Sequence, residues 1–161
     1  MEVKLRVILV AIVLGLAWYF NPFAYRVIRV VDGDTFIYGN KFTQSRKRMH
    51  LIDAPELKQP YGFVSKEVLA GKIEGKNPVL VSYRRDNRWD RDVVDVLYKQ
   101  RNINVEMVEE GLAWYDSKYG NSKDLDLAEK KAKQARVGLW KDNRPIEPWN
   151  WRKTNGTYYR K

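Results

Sequence analysis

The stretch Tyr25–Tyr38, YRVIRVVDGDTFIY, decides the fold. β-Branched and aromatic residues crowd both sides of Asp32-Gly33, and Asp-Gly between two such runs is a strong short-range signal for a β-hairpin. Further along, Arg48–Ile52 (RMHLI) reads as a third strand, stopped by Asp53-Ala54-Pro55. Pro78–Tyr83 and Val93–Tyr98 read as two more, joined by a charged loop, Asp86–Asp92.

Three helical stretches intervene. Gly62–Ala70 places Val64, Val68 and Leu69 on one side. Asn102–Glu110 carries Ile103, Met107 and Val108, with Gly111 as its stop. Ser122–Val137 repeats Leu125, Ala128, Ala132 and Ala135 at helical spacing and ends at Gly138. Five short strands with late helices predict an α+β chain of OB-fold type, a small closed or partly closed five-stranded β-barrel with three helices. The polar stretch 154–161 reads as a flexible basic tail.

At 161 residues, 44% hydrophobic and 31% charged, the chain has the size and composition of one ordinary domain. It has no cysteine, which excludes disulfides, thiolate metal sites and a thiol nucleophile. His50 is the single histidine and reads as a structural or surface residue. A bound metal must therefore find oxygen ligands, which points to calcium or magnesium. The net charge of +10 attracts polyanions, nucleic acid or an anionic membrane first among them.

Residues 1–24 form a separate unit. Lys4 and Arg6 precede an uncharged apolar run, Val7–Phe20, the order of a positive n-region and an h-region. The bulky Trp18, Tyr19 and Phe20 stand where a cleavage site would need small residues. The expectation is a hydrophobic helix acting as signal-anchor, or else a signal peptide. The 25–153 domain is then membrane-anchored outside the cytoplasm, or secreted if the segment is cleaved.

Chemistry-bearing residues gather in short segments. Asp32 and Asp34 flank Gly33, and Asp53 and Glu56 bracket Ala54-Pro55. Carboxylates from two turns with a nearby backbone carbonyl suit a hard cation. Arg48 and Arg91 supply guanidinium forks, which match the charge gained by a phosphodiester under attack. Strict strand alternation puts Arg48 and Asp53 on opposite faces, so shared use requires the chain to turn before Asp53. Trp114, Trp140, Trp149 and Trp151 read as packing.

VVDGDTF, RMHLIDAPE, NRWDR, GLAW, ARVGLW and PIEPWNWRK, in this order and spacing, resemble the staphylococcal nuclease (thermonuclease) family from about Val27 to Arg152. The resemblance implies a calcium-dependent phosphodiesterase that acts on DNA and RNA and leaves a 3′-phosphate. It implies Asp34, Asp53 and the Ala54 main-chain carbonyl as calcium ligands, with Asp32 an acidic neighbour. It implies Glu56 as the group that orients or deprotonates water, and Arg48 and Arg91 as the phosphate holders. Trp89 stands where the family has a stacking tyrosine, and Tyr119 adds an aromatic contact. The departure is Asp90, at a glycine position beside Arg91. Aspartate tolerates positive φ better than most residues, but it brings negative charge to a phosphate site.

Two rival readings follow. One is a catalytically weak or inactive nuclease-like nucleic-acid-binding module, which Asp90 favours and the retained acids and arginines disfavour. The other is a membrane-tethered interaction domain in which the basic charge is incidental. Steep salt dependence separates nucleic-acid binding from the latter. A monomer is expected.

Overall fold

The computed structural model describes residues 22–156. The fold is mixed α+β. Its main sheet runs β1 (Arg26–Val30), β2 (Thr35–Gly39), β3 (Gln44–Met49), β6 (Arg91–Tyr98) and β5 (Val79–Asp86) in spatial order, and a short β7 (Arg101–Asn102) pairs β6. All pairs in it are antiparallel except β3 with β6. A second, two-stranded ladder joins β4 (Ile52–Asp53) to β8 (Trp114–Tyr115). Among the described residues four α-helices follow in chain order: α1 (Gly62–Ile73), α2 (Ile103–Glu109), α3 (Lys123–Ala135) and α4 (Pro148–Asn155). The arrangement is OB-like, but among the described residues the main sheet is open, with β1 and β5 as its ends. The free side of β1 is taken instead by the loop after α1, where the Val27 amide donates to the Lys76 carbonyl at 2.8 Å and the Gly75 amide donates to the Val27 carbonyl at 2.9 Å.

The hairpin forms where expected, with an unusual turn. Asp32, Gly33, Asp34 and Thr35 are all buried, because the turn faces the interior of the domain. The expected third strand, Arg48–Ile52, is two elements. β3 begins earlier and ends at Met49. Leu51 then adopts φ 55°, and β4 leaves in a new direction. The expected charged loop shrinks to the turn at residues 87–90, because Arg84–Asp86 and Arg91–Asp92 extend β5 and β6.

The core gathers Val27, Phe36, Met49, Ile52, Leu69, Ile73, Val94, Val96, Ile103, Met107 and Val108, all buried between the sheet and α1–α3. Burying each such side chain is worth about 1.5–3 kcal/mol. The inward face of α1 is Gly62, Ser65, Leu69 and Ile73, and Val64 is exposed. The polar Ser65 faces inward because its hydroxyl donates to the Leu112 carbonyl at 2.7 Å. α2 and α3 start on the caps Asn102 and Ser122. α3 ends two residues earlier than expected, at Ala135, with Arg136 left-handed at φ 52°.

A second cluster holds Trp114, Trp140, Leu139 and Ala132, with Trp149 and Tyr61 packed on it. Trp114 meets Trp140 edge-on at 4.3 Å and Trp149 at 5.9 Å. This matches the packing role expected for these three indoles. The helix that carries Trp149, α4, is an element the hydrophobic pattern does not announce. Its first residue is Pro148, a favoured opening for a helix. Thr154 and Asn155 belong to this helix rather than to a loose tail. The expected N-terminal hydrophobic helix and residues 157–161 lie outside the described residues. Among those described, no helix is long and apolar enough to cross a membrane.

Candidate active site

The sheet register explains how distant residues meet. In the β2–β3 ladder Thr35 lies opposite Arg48, which puts Asp34 beside the start of the Arg48 side chain. In the β3–β6 ladder Arg46 lies opposite Arg91 and Arg48 opposite Val93, so Arg48 and Arg91 share one face. The reversal at His50-Leu51 brings Asp53 back over Arg48. The Arg48 Nη2 donates to Asp53 Oδ1 at 2.9 Å, and its Nη1 pairs with Asp34 Oδ1. The turn that shared use requires is thus supplied by Leu51.

Two glycines allow the segments to touch. A Cβ on Gly33 would lie 2.6 Å from the Ala54 Cβ and 2.7 Å from the Ser65 Cβ, so only glycine lets the acidic turn rest on β4 and α1. A Cβ on Gly62 would lie 1.8 Å from the Glu56 carbonyl oxygen, so the start of α1 is set directly against the Glu56 turn. Gln59 completes that turn. It accepts from the Glu56 amide at 3.1 Å and donates to the Ile146 carbonyl.

All nine residues singled out by sequence line one open cleft of about 740 Å³: Asp32, Asp34, Arg48, Asp53, Ala54, Glu56, Trp89, Arg91 and Tyr119. Asp34 accepts from the Ala54 amide at 2.7 Å and from the Thr35 hydroxyl at 2.9 Å. Burial works to raise its pKa, but Arg48 and these donors outweigh it and hold the carboxyl below its usual value. Asp32 is the opposite case. Burial and the neighbouring Asp34 charge push it well above the usual range. One of its oxygens, Oδ2, is buried without a hydrogen-bond partner among the described residues. Burial also raises Glu56, against the pull of Arg152. Arg91 donates to Asp86 at 3.2 Å, and its pKa is lowered by burial and by the nearby Arg48 charge. Tyr119 is exposed at the rim, with the Arg84 guanidinium 5.4 Å from its ring centre; Trp89 carries Arg88 at the same distance.

Asp90 does take the left-handed conformation, at φ 46°. Its carboxylate pairs with Arg85 and lines a shallow depression with Arg46 and Asp92 instead of this cleft. That pairing turns the Asp90 carboxylate toward Arg85.

Sequence reasoning overlooked Arg152. From α4 its Nη2 donates to Asp53 Oδ2 at 2.6 Å, and its Nη1 donates to Asp53 Oδ1 at 3.1 Å and to Glu56 Oε1 at 2.9 Å. Trp149, one helical turn earlier, seats the helix on Trp114, and Trp114 pairs with Asp53 in the β4–β8 ladder. The available signal was a proline-led WxWR run late in the chain. Asp116 was also missed. It lines the cleft, and burial and the Asp53 charge raise its pKa.

The donors fit a hard cation. They are carboxylates and a backbone carbonyl, without sulfur or imidazole, and Asp32 contributes a buried oxygen that lacks a partner. Among the described residues no group of three or more acidic, histidine or cysteine side chains is already disposed to hold a metal. Arg48 and Arg152 stand among the carboxylates instead.

A cleft that joins buried carboxylates, a glutamate and several arginines on an OB-like scaffold has the residue types that a nuclease-type hydrolase needs. The chain belongs to the staphylococcal nuclease homologue family, whose model matches residues 46–142. It is 40% identical to an uncharacterized endonuclease of Haemophilus influenzae over 129 residues, covering 80% of this chain and 72% of that one. It is 37% identical to an uncharacterized endonuclease of Escherichia coli over 128 residues, covering 79% and 83%. A micrococcal nuclease of Shigella flexneri is 35% identical over 167 aligned positions, covering 94% and 93%.

Proposed function

We propose that this chain is a calcium-dependent nuclease that hydrolyses phosphodiester bonds of DNA and RNA by attack of water. The observation that carries the reading is the convergence of Asp34, Asp53, Glu56, Arg48 and Arg91 on one cleft of a strongly basic protein. Asp34, Asp53 and the Ala54 carbonyl would hold calcium, with Asp32 beside them. When bound, the ion would polarise the phosphoryl group and neutralise part of its charge.

The protein's own groups do the rest. Arg91 faces the cleft and binds a phosphate oxygen through its fork. Arg48, fixed by two carboxylates, is a preorganised positive charge beneath the phosphate, so it needs no rearrangement when charge develops. Glu56 orients the attacking water and accepts its proton. Trp89 and Tyr119 offer faces on which unpaired bases stack, a contact that tolerates any sequence.

The test is incubation of the purified protein with labelled single-stranded DNA and with RNA, in calcium and then in chelator. Cleavage that leaves 3′-phosphate ends and stops with chelator is expected. Binding that persists without cleavage in calcium would establish the silent binding module instead. Against that rival stands the pairing of Asp90 with Arg85.

For location, we propose that Val7–Phe20 tethers the domain to a membrane with the cleft on the non-cytoplasmic side. Phe23, three residues after that run in sequence, and Phe42 are exposed with ring centres 5.2 Å apart, an apolar pair that suits a face turned toward lipid. Recovery of the full chain in the soluble fraction, uncleaved, would refute the tether.

A further inference from the structure

The guanidinium of Arg152 bridges the two acids at the centre of the cleft. It forks onto both oxygens of Asp53 and also reaches Glu56. It comes from residues beyond 142, where the family match ends. The charge balance around it is informative. Asp32, Asp34, Asp53 and Glu56 are all buried, and two guanidinium groups touch them, those of Arg48 and Arg152. Acids gathered this closely repel one another unless cations stand between them.

The two arginines are not equivalent. The side chain of Arg48 is 14% exposed and lies beneath the acids, on a central strand. That of Arg152 is 28% exposed and reaches in from the rim on a helix seated by Pro148 and Trp149. Arg48 is held by Asp34 as well as Asp53, whereas Arg152 is more exposed and enters from the rim, so Arg152 is the more easily displaced of the two from Asp53. A divalent ion at Asp53 needs lone pairs that the Arg152 fork already uses, and the two positive charges repel.

We propose that Arg152 is a positioning residue that holds Asp53 and Glu56 in place when no cation is bound and competes with the cation for Asp53. The inference rests on the reading of Asp53 as a cation ligand. The C-terminal helix then tunes cation affinity, so that occupancy depends on the prevailing calcium level. Because Arg152 also touches Glu56, losing it disturbs that side chain as well.

The experiment measures calcium binding by titration calorimetry on the full chain in mild detergent, and thermal unfolding with and without saturating calcium. The proteins are wild type, Arg152→Ala, Arg152→Lys and Lys130→Ala, the last removing one exposed positive charge far from the cleft. Arg152→Ala is expected to bind calcium about tenfold tighter, or more, because a repelling charge a few ångströms away is gone. Arg152→Lys, which keeps charge but loses the fork, is expected to show a smaller gain of about threefold. Lys130→Ala is expected to match wild type. The unfolding temperature of Arg152→Ala is expected to fall without calcium and to recover most of that loss with it.

Unchanged calcium affinity in Arg152→Ala, with equal loss of unfolding temperature in both conditions, overturns the inference and makes the contact merely structural. Should Arg152→Ala not fold, a wild-type affinity in Arg152→Lys overturns it. A wild type that binds no calcium overturns the cation reading itself and this inference with it. A wild type that binds calcium and cuts DNA, beside an Arg152→Ala of unchanged affinity, overturns the inference alone.

Discussion

Replacing Gly33 by alanine tests how the two acidic turns are brought together. The new methyl would sit 2.6 Å from the Ala54 Cβ and 2.7 Å from the Ser65 Cβ. Neither neighbour has a flexible end that can move aside, and ordinary carbon contacts need about 3.5–4.0 Å. The turn must therefore back away by about 1 Å. That shift stretches the 2.7 Å bond from the Ala54 amide to Asp34. Overpacking of this kind costs about 1–3 kcal/mol, and loss of a hydrogen bond to a charged group adds about 1.5–3 kcal/mol. A destabilisation near 3 kcal/mol is expected from urea unfolding. A displacement of about 1 Å at the reacting groups lowers turnover by about a hundredfold, read as the cleavage rate of the folded protein. Gly71 is the internal control. It lies in α1 with nothing within 4 Å of its Cβ position, and Gly71→Ala is expected to stabilise the protein by about 0.5–1 kcal/mol through helix propensity. A Gly33→Ala protein as stable as wild type and equally active would refute the claim that this contact sets the site.

Three further outcomes are expected. Arg91→Ala should fold normally, since its described ion pair is with the rim residue Asp86, yet lose cleavage by about a hundredfold or more; a folded variant with wild-type turnover removes Arg91 from the mechanism. Asp90→Gly should change cleavage by less than about threefold, because a largely exposed pair with Arg85 carries little free energy; a large gain would show that Asp90 does oppose phosphate binding. Glu106 is held at a pKa of about 2, against an ordinary 4.5, by Arg101 first and Lys72 as well. Its lowered folded-state pKa means that it contributes stability above about pH 4.5 and loses that contribution as pH falls toward 2. The gap in urea midpoint between wild type and Glu106→Gln should therefore be full at pH 7 and shrink steadily below pH 4.5, and a constant gap would contradict it.

Much of the scaffold was legible because it rests on local signals. Asp-Gly between β-branched runs marks the hairpin, and Asn102 and Ser122 mark helix starts. The acids at residues 32–34 and 53–56 were found because each group is contiguous in sequence. Alternation alone also required a turn between Arg48 and Asp53, and Leu51 makes it. Other features depend on tertiary contacts that no short window contains. Val64 was placed inward by hydrophobicity, but Ser65 takes the inner face because it is small and finds the Leu112 carbonyl. A closed or partly closed barrel was expected from strand number, and the open outcome comes from the edge of β1, which Gly75 and Lys76 occupy. Arg152 was invisible for a similar reason. Its meaning comes from carboxylates 96 and 99 positions away, and its helix is held by an indole cluster instead of an apolar stripe.

The open end of the sheet has a practical consequence. On β5 the alternating residues Val79, Val81 and Tyr83 are all exposed, along a strand whose outer hydrogen-bonding groups pair with no other strand of the described chain. Such an edge invites a second copy to add on, and the opposing force is mutual repulsion between molecules of charge +10. Added salt weakens that repulsion, since the screening length shrinks from about 10 Å at 0.1 M to about 3 Å at 1 M. Were strand addition to occur, a salt series run to weigh phosphate contacts would act on two equilibria at once. Repeating it at several protein concentrations separates them, because strand addition is second order in protein and nucleic-acid release is not.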